Sequence, residues 1–291
     1  MSSDVNRGSF FSQILTSPVF QKKMKFNTPV QITAPGWSIS PRSRLLFVGS
    51  CFADNIGQKF IEQQFTAEVN PYGTMYNPVS VLHSVRRTPF IADVAFLTLG
   101  TNHVWRLRET GEIVDNCAKR PAGLFNEEEM SVEECTRCLE ETLALLSERN
   151  SEVKVVVTVS PIRYAKYGFH GSRLSKAVLL LAADDFVRRH SDSCWYFPAY
   201  ELLLDELRDY RFYAPDMLHP SPQAVDYIWE RLSDVAFSPD TLRYIDELRP
   251  ILAALNHRFF DPQLPESVTF REETQARFEA FLAKWKQNPG K

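Results

Sequence analysis

Leu45-Leu46-Phe47-Val48-Gly49-Ser50-Cys51-Phe52-Ala53-Asp54 holds an apolar run too short for a helix, stopped by a glycine, after which a hydroxyl and a thiol stand side by side. Helical spacing follows, with Phe52, Ile56, Phe60 and Ile61 on one face and Asp54, Gln58 and Glu62 elsewhere. The stretch therefore reads as a buried strand, a tight turn and a helix. In α/β folds ligands gather at the carboxyl ends of strands, where this turn falls.

Two further runs repeat the pattern. Asp93 to Leu99 ends on Gly100-Thr101-Asn102-His103, and Val153 to Val159 is stopped by Ser160-Pro161. Between them the spacing predicts helices. One starts at Asn77-Pro78, with Asn77 as cap, and one runs from Ser131 to about Glu148, opened by a Ser131/Glu134 capping-box pattern. Val104 to Val114 predicts an inserted hairpin around Thr110-Gly111. A cationic and aromatic loop, Arg163 to Arg173, precedes an apolar helix from Leu174 to Arg189. Glu68 to Thr74 reads as a short strand entering a turn at Gly73, Trp195 to Phe197 as a last strand, and Tyr200 to Leu207 as a short helix. Helices starting at Pro222 and over roughly 238–256 and 268–285 complete the chain. Strands that are apolar throughout, alternating with helices, predict an α/β fold with a mostly parallel sheet covered on both faces. The domain reading is an extension over 1–23, one α/β domain over 24–250 and a helical tail over 251–291.

The 291 residues are 44% hydrophobic and 12% aromatic, enough for a sizeable core, and the net charge of −3 argues against nucleic acid or an anionic membrane as partner. No apolar run approaches the ~18 residues of a spanning helix, and the N-terminus lacks the pattern of a secretory signal. Cytoplasm is the expected compartment, and five cysteines, an odd count, fit free thiols there. Cys135-Thr-Arg-Cys138 has CxxC spacing but lies in a predicted helix without a second such pair, so neither a metal nor a redox site is expected.

A parallel sheet brings the loops after its strands to one edge. Those loops hold Ser50, Cys51, Asn102 and His103, with a Pro/Gly turn around Gly73, and the loop with Asp216 and His219 can join them. Together they supply a nucleophile, a base, a carboxylate to orient the base and donors for an oxyanion, the parts acyl transfer requires. Asp216-Met-Leu-His219 can fix one imidazole nitrogen and leave the other to take a proton. Its plain reading is a turn-capping aspartate and a packed histidine. Lys119 and Arg163 are candidates for an anionic or sugar-like substrate, or solvated cations. No P-loop, Gly-x-Gly-x-x-Gly, His-Glu-x-x-His or Gly-x-Ser-x-Gly pattern occurs.

Gly49-Ser50-Cys51-Phe52-Ala53 spells the motif of the GSCFA-domain family, known chiefly from bacterial sequences. Leu99-Gly-Thr-Asn102, Asn116-Cys-Ala-Lys119, Thr158-Val-Ser-Pro-Ile-Arg163, Leu174-Ser-Lys-Ala177 and Asp216-Met-Leu-His-Pro-Ser221 also resemble it. More distantly the layout resembles the SGNH (GDSL-type) hydrolases, esterases and acetyltransferases or deacetylases of carbohydrates. That resemblance implies a flavodoxin-like three-layer sandwich. It also implies an acyl-ester hydrolase or acyltransferase, acting on a small-molecule or acylated carbohydrate ester and using no metal or organic cofactor. Laid over the Gly-Asp-Ser block, Gly49-Ser50-Cys51 puts Cys51 at the nucleophile and Ser50 at the aspartate position. Asn102 fits the third block, with His103 where that block has aspartate, and Asp216 and His219 fit the last. Oxyanion donors would be the amides of Cys51 and Gly73 and the Asn102 side chain. A thiol at a helix start beside His219 should have a lowered pKa, against which Asp54 acts. Ser50 as nucleophile is the competing reading, and a non-catalytic ligand- or glycan-binding module is the alternative function.

Overall fold

A computed structural model describes residues 27–117 and 120–287; the extension expected over 1–23 lies outside the described residues. The opening stretch forms strand β1 (Arg44–Gly49) and helix α1 (Cys51–Glu62). Then follow β2 (Thr66–Val69), α2 (Pro78–Arg87) and β3 (Val94–Leu99), and later α3 (Val132–Arg149) and β7 (Lys154–Val159). Helix α4 (Gly168–Arg189), strand β8 (Cys194–Tyr196) and helices α5 (Pro222–Ala236), α6 (Pro239–Leu255) and α7 (Pro265–Gln287) complete the fold. Strands β2-β1-β3-β7-β8 make one sheet in that order, and every pairing is parallel.

Alternation along the strands divides the core into two layers. Leu45, Phe47, Phe96 and Val156 pack with Phe52 and Phe60 of α1, Ile228 of α5, Leu248 of α6 and Phe281 of α7. Leu46, Val48, Leu97 and Val157 pack on the other face with Val81 of α2, Leu139 of α3 and Leu179 of α4. Because successive side chains point to opposite faces, a strand apolar at every position demands helices on both sides. The expected α/β three-layer sandwich with a central parallel sheet is the observed fold.

Two local features depart from the expected elements. A small antiparallel sheet, in the order β5-β4-β6, joins β4 (His103–Leu107), β5 (Ile113–Val114) and β6 (Phe125–Glu129). Strand β6 had no apolar signature because Asn126, Glu127 and Glu129 are exposed on it while Phe125 supplies its buried anchor. Helix α4 starts at Gly168, six residues before the expected Leu174, and exposed Phe169 and Leu174 blur its early periodicity.

The sheet order reverses between β1 and β3, which leaves a crevice at their carboxyl ends. Hydrogen bonds join the loops there. Ser50 N donates to Thr98 O (3.1 Å), Met75 N to Gly49 O (2.8 Å), and both Gly100 N and Thr101 N to Tyr76 O (2.8 Å each). Gly49 has φ +150°, and a Cβ there would lie 2.8 Å from Thr98 Cβ and closer still to the Thr98 carbonyl. Gly49→Ala is therefore expected to destabilise the fold by about 3 kcal/mol, through overpacking and an unfavourable backbone region. Urea unfolding checks it, and an unchanged midpoint would contradict the close approach.

Candidate active site

The turn after β1 presents its two candidate nucleophiles differently. Ser50 is the cap of α1: it is fully buried, and its Oγ accepts from Phe52 N (3.3 Å) while its carbonyl accepts from Ala53 N (2.7 Å). Cys51, one residue on, is half-buried, and its Sγ lies 3.6 Å from Nε2 of His219. Ser50 makes no contact of that kind among the described residues.

The loop bearing His219 is a compact hydrogen-bonded turn. Ala214 N donates to His219 O (2.7 Å) and Ser221 N to Phe212 O (2.8 Å), after which Ser221 caps α5. Asp216 Oδ1 accepts from Leu218 N (2.9 Å) and His219 N (3.0 Å), the local bonding that suits aspartate to turns. Its Oδ2 stands 2.6 Å from His219 Nδ1. Those two backbone donors, with the imidazole, hold Asp216 down at about 2. A charged carboxylate at Nδ1 keeps the proton on that nitrogen and leaves Nε2 to accept from the thiol. The plain reading of Asp216 and the proposed one are therefore both present in one residue: it caps the turn and orients the ring.

The expected fall in the Cys51 pKa is not found. Burial raises it most; its own backbone amide lowers it, Asp54 raises it by less than that, and the Tyr76 hydroxyl lowers it least, so the net shift is upward. At neutral pH the group at rest is a thiol, so a base is needed to activate it. Asp54 itself accepts from Asn70 Nδ2 (2.7 Å) and Thr74 Oγ1 (3.3 Å), and Asn70 Oδ1 accepts from Gly49 N (2.9 Å). The carboxylate thus braces the turn that presents the thiol.

Other expected site residues have their own partners. Gly73 N donates to Asn70 O (2.8 Å), closing a turn with φ +88° at the glycine. Asn102 Nδ2 donates to Met130 O (2.8 Å) and its backbone N to Ser175 Oγ (3.0 Å). These engagements take the Gly73 amide hydrogen and one of the Asn102 amide hydrogens away from an oxyanion. His103 is buried, stacks on Tyr167 with centroids 3.7 Å apart, and is held below its ordinary pKa by burial. It makes no hydrogen bond to Cys51 or His219 among the described residues. Arg163 donates through Nη1 to Met217 O (3.0 Å) and through its backbone to Leu218 O (3.0 Å), clamping the His219 loop. Lys119 lies outside the described residues.

Two tyrosines complete the surroundings and were not singled out from the sequence. Tyr76 follows the Gly73 turn, reaches Cys51 with its hydroxyl, and packs edge-on against Tyr164 at 6.2 Å between centroids. Tyr164 is half-buried, its hydroxyl is buried and without a hydrogen-bond partner among the described residues, and burial pushes its pKa far above the usual phenol range. Behind them Lys176, fully buried on α4, donates to Gly100 O (2.6 Å) and Ser160 O (2.8 Å) and lies 5.0 Å over the Tyr164 ring. The signal for Tyr76 was its place beside the Asn77 cap, at the end of a loop already assigned to the crevice. Of the remaining cysteines, burial pushes Cys135 up to about 12 and Cys138 up to about 11, as inert thiols of α3.

No curated protein matches the chain. Solved structures similar to it include a putative platelet activating factor from Streptococcus pneumonia (16% identity, 66% of this chain and 83% of that one, TM-score 0.45). A GDSL-like lipase from Bacteroides thetaiotaomicron is similar at 12% identity over 66% and 86% of the two chains (TM-score 0.44). A catalytic mutant of an acetylxylan esterase from Geobacillus stearothermophilus is similar at 11% identity over 69% and 97% (TM-score 0.44). The profile of the GSCFA family matches residues 44–90 and 82–232, most of the chain and all of the site described above, and the protein belongs to that family.

Proposed function

We propose that the protein is an acyl-ester hydrolase or acyltransferase with Cys51 as nucleophile, His219 as base and then acid, and Asp216 as the group that orients His219. One observation carries this reading: Cys51 Sγ faces His219 Nε2 at 3.6 Å while Asp216 holds the opposite ring nitrogen at 2.6 Å. The thiol proton passes to Nε2 as sulfur attacks the acyl carbon. The imidazolium returns that proton to the leaving oxygen, and a thioester remains on Cys51. Water or an acceptor alcohol then attacks the thioester, giving its proton to His219, and the released thiolate recovers it. The Cys51 backbone amide, in the first turn of α1, is a donor for the oxyanion, since helix N-termini hold unpaired N–H groups. The Tyr76 hydroxyl, near enough to Cys51 to lower the proton affinity of its sulfur, is a second. An acylated carbohydrate is the substrate class that the more distant resemblance to the SGNH hydrolases suggests.

The test is alkylation of Cys51 by iodoacetamide across pH, together with turnover of a panel of acetyl esters. His219→Ala is expected to slow Cys51 alkylation at neutral pH by at least about tenfold, since a base then no longer assists the thiol. Tyr76→Phe is expected to move the reactivity profile to higher pH, because the hydroxyl stabilises the thiolate. Equal alkylation in wild type and His219→Ala, with every ester untouched, would sink the reading. It would favour a non-catalytic glycan-binding module, which the engaged amides of Gly73 and Asn102 support.

A further inference from the structure

Arg163, which clamps the His219 loop through Met217 O, also lines a cavity of about 460 Å³. Arg173 from α4 and Arg208 line it too, together with the rings of Tyr200, Tyr210 and Tyr213. The size suits a monosaccharide-sized group, since small-ligand pockets run from about 300 to 1,000 Å³. Arg163 Cζ lies 4.0 Å over Phe169 and 5.4 Å from the Tyr213 ring centre, contacts that fix its planar head without neutralising it.

The charge of the cavity is unbalanced. Neither Arg173 nor Arg208 has an ion-pair or hydrogen-bond partner for its guanidinium among the described residues, and Arg163 is bonded to a carbonyl and not to a carboxylate. Other arginines do pair: Arg44 with Asp93 at 2.8 Å, Arg87 with Asp115 at 2.8 Å and Arg106 with Glu128 at 3.0 Å. Asp205 and Asp209 also line the cavity, but Asp209 is 3.9 Å from Arg211 and accepts from its backbone N. Three cations therefore face one unpaired carboxylate. The backbone that presents them is unusual: Leu202–Leu207 is a π-helical turn, and Arg208 follows it at φ +44°. Isolated π-turns and left-handed residues other than glycine or asparagine cost energy and concentrate where a side chain must be aimed.

We propose that this cavity binds a sugar-sized group carrying an oxyanion, a phosphate or a carboxylate, with the arginines on the anion and the tyrosine rings on the body of the ligand. Guanidinium forks match both oxyanions, and an aromatic ring offers an apolar face with a polar tip to a sugar. As the seat for the anionic end of an ester substrate, the cavity rests on the acyl-transfer reading. Its anion binding does not, and the two are measured separately.

The experiment is calorimetric titration of the full chain with glucose 6-phosphate, glucuronate and glucose. Each is repeated on the double variant Arg173→Gln/Arg208→Asn. Both positions are exposed, and asparagine tolerates the left-handed backbone at 208, so the fold is retained. At least one anionic sugar is expected to bind tenfold or more tightly than glucose, and the double variant to lose that advantage. Preference for glucose 6-phosphate identifies a phosphate, and preference for glucuronate a carboxylate. Equal binding of all three, no binding, or an unchanged double variant overturns the proposal. Anion binding by a chain whose Cys51 proves unreactive would leave the cavity standing and remove only the esterase reading.

Discussion

Cys51→Ala is expected to lower turnover of an acetyl ester by about 10⁶-fold, the scale of loss when the nucleophile of such a triad is removed. Ser50→Ala should leave turnover within a few-fold of wild type and instead remove about 1 kcal/mol of stability, the usual worth of a helix cap. The contrast follows from geometry. Ser50 Oγ is spent on Phe52 N inside the core, whereas Cys51 Sγ faces the ring of His219. Steady-state rates on p-nitrophenyl acetate and urea midpoints of both variants provide the check. A large rate loss in Ser50→Ala with turnover retained in Cys51→Ala would move the nucleophile one residue back. His219→Ala should match Cys51→Ala closely, because residues that act as one unit lose their effect together.

Lys176 is expected to give the protein a stability that climbs with pH just above neutrality. Burial without a carboxylate lowers this lysine from its ordinary 10.5 to about 7. Below pH 7 the folded and unfolded chains are both protonated there, and the full cost of burying the charge, about 5 kcal/mol, opposes folding. Above pH 7 the unfolded chain binds the proton and the folded one releases it, so stability rises towards 10.5. Over pH 7 to 8.5 the gain is about 2 kcal/mol from this group. Lys176→Met should flatten the rise, although it also strands the carbonyls of Gly100 and Ser160 and so lowers stability at pH 8.5. Unfolding of both proteins at several pH values decides the matter, and parallel curves would contradict a deprotonated lysine. The window closes near pH 9, where Cys138 and Cys194, both pushed up to about 11 by burial, begin to act in the opposite direction.

The parts of the fold legible in the sequence are those where burial leaves a periodic trace. Strands β1, β3 and β7 are apolar at nearly every position because helices cover both faces, and Ser131 and Asn77 announce the starts of α3 and α2 through their caps. Strand β6 left no such trace, because its exposed glutamates hide a single buried phenylalanine. The site was legible in the same degree. Cys51, Asp216 and His219 could be brought together because parallel strands send their loops to one edge. The hydrogen bonds of Gly73 and Asn102 depend on where the neighbouring turn and Met130 come to rest, which spacing does not encode. The Cys51 pKa misled for a related reason: a helix start and a nearby histidine are visible in sequence, but the burial that outweighs them is not.

Arg163 belongs to two assemblies at once. Its backbone and Nη1 hold the peptide of residues 217–218, and its guanidinium faces the open cavity. A ligand that alters the Arg163–Met217 bond therefore alters the equilibrium position of His219 relative to sulfur. By thermodynamic reciprocity, a molecule held at Cys51 shifts the affinity of the cavity by the same factor. Recognition at one end of a bound molecule and reactivity at the other would then be linked functions of a single side chain, and fidelity could come from coupling as well as from fit.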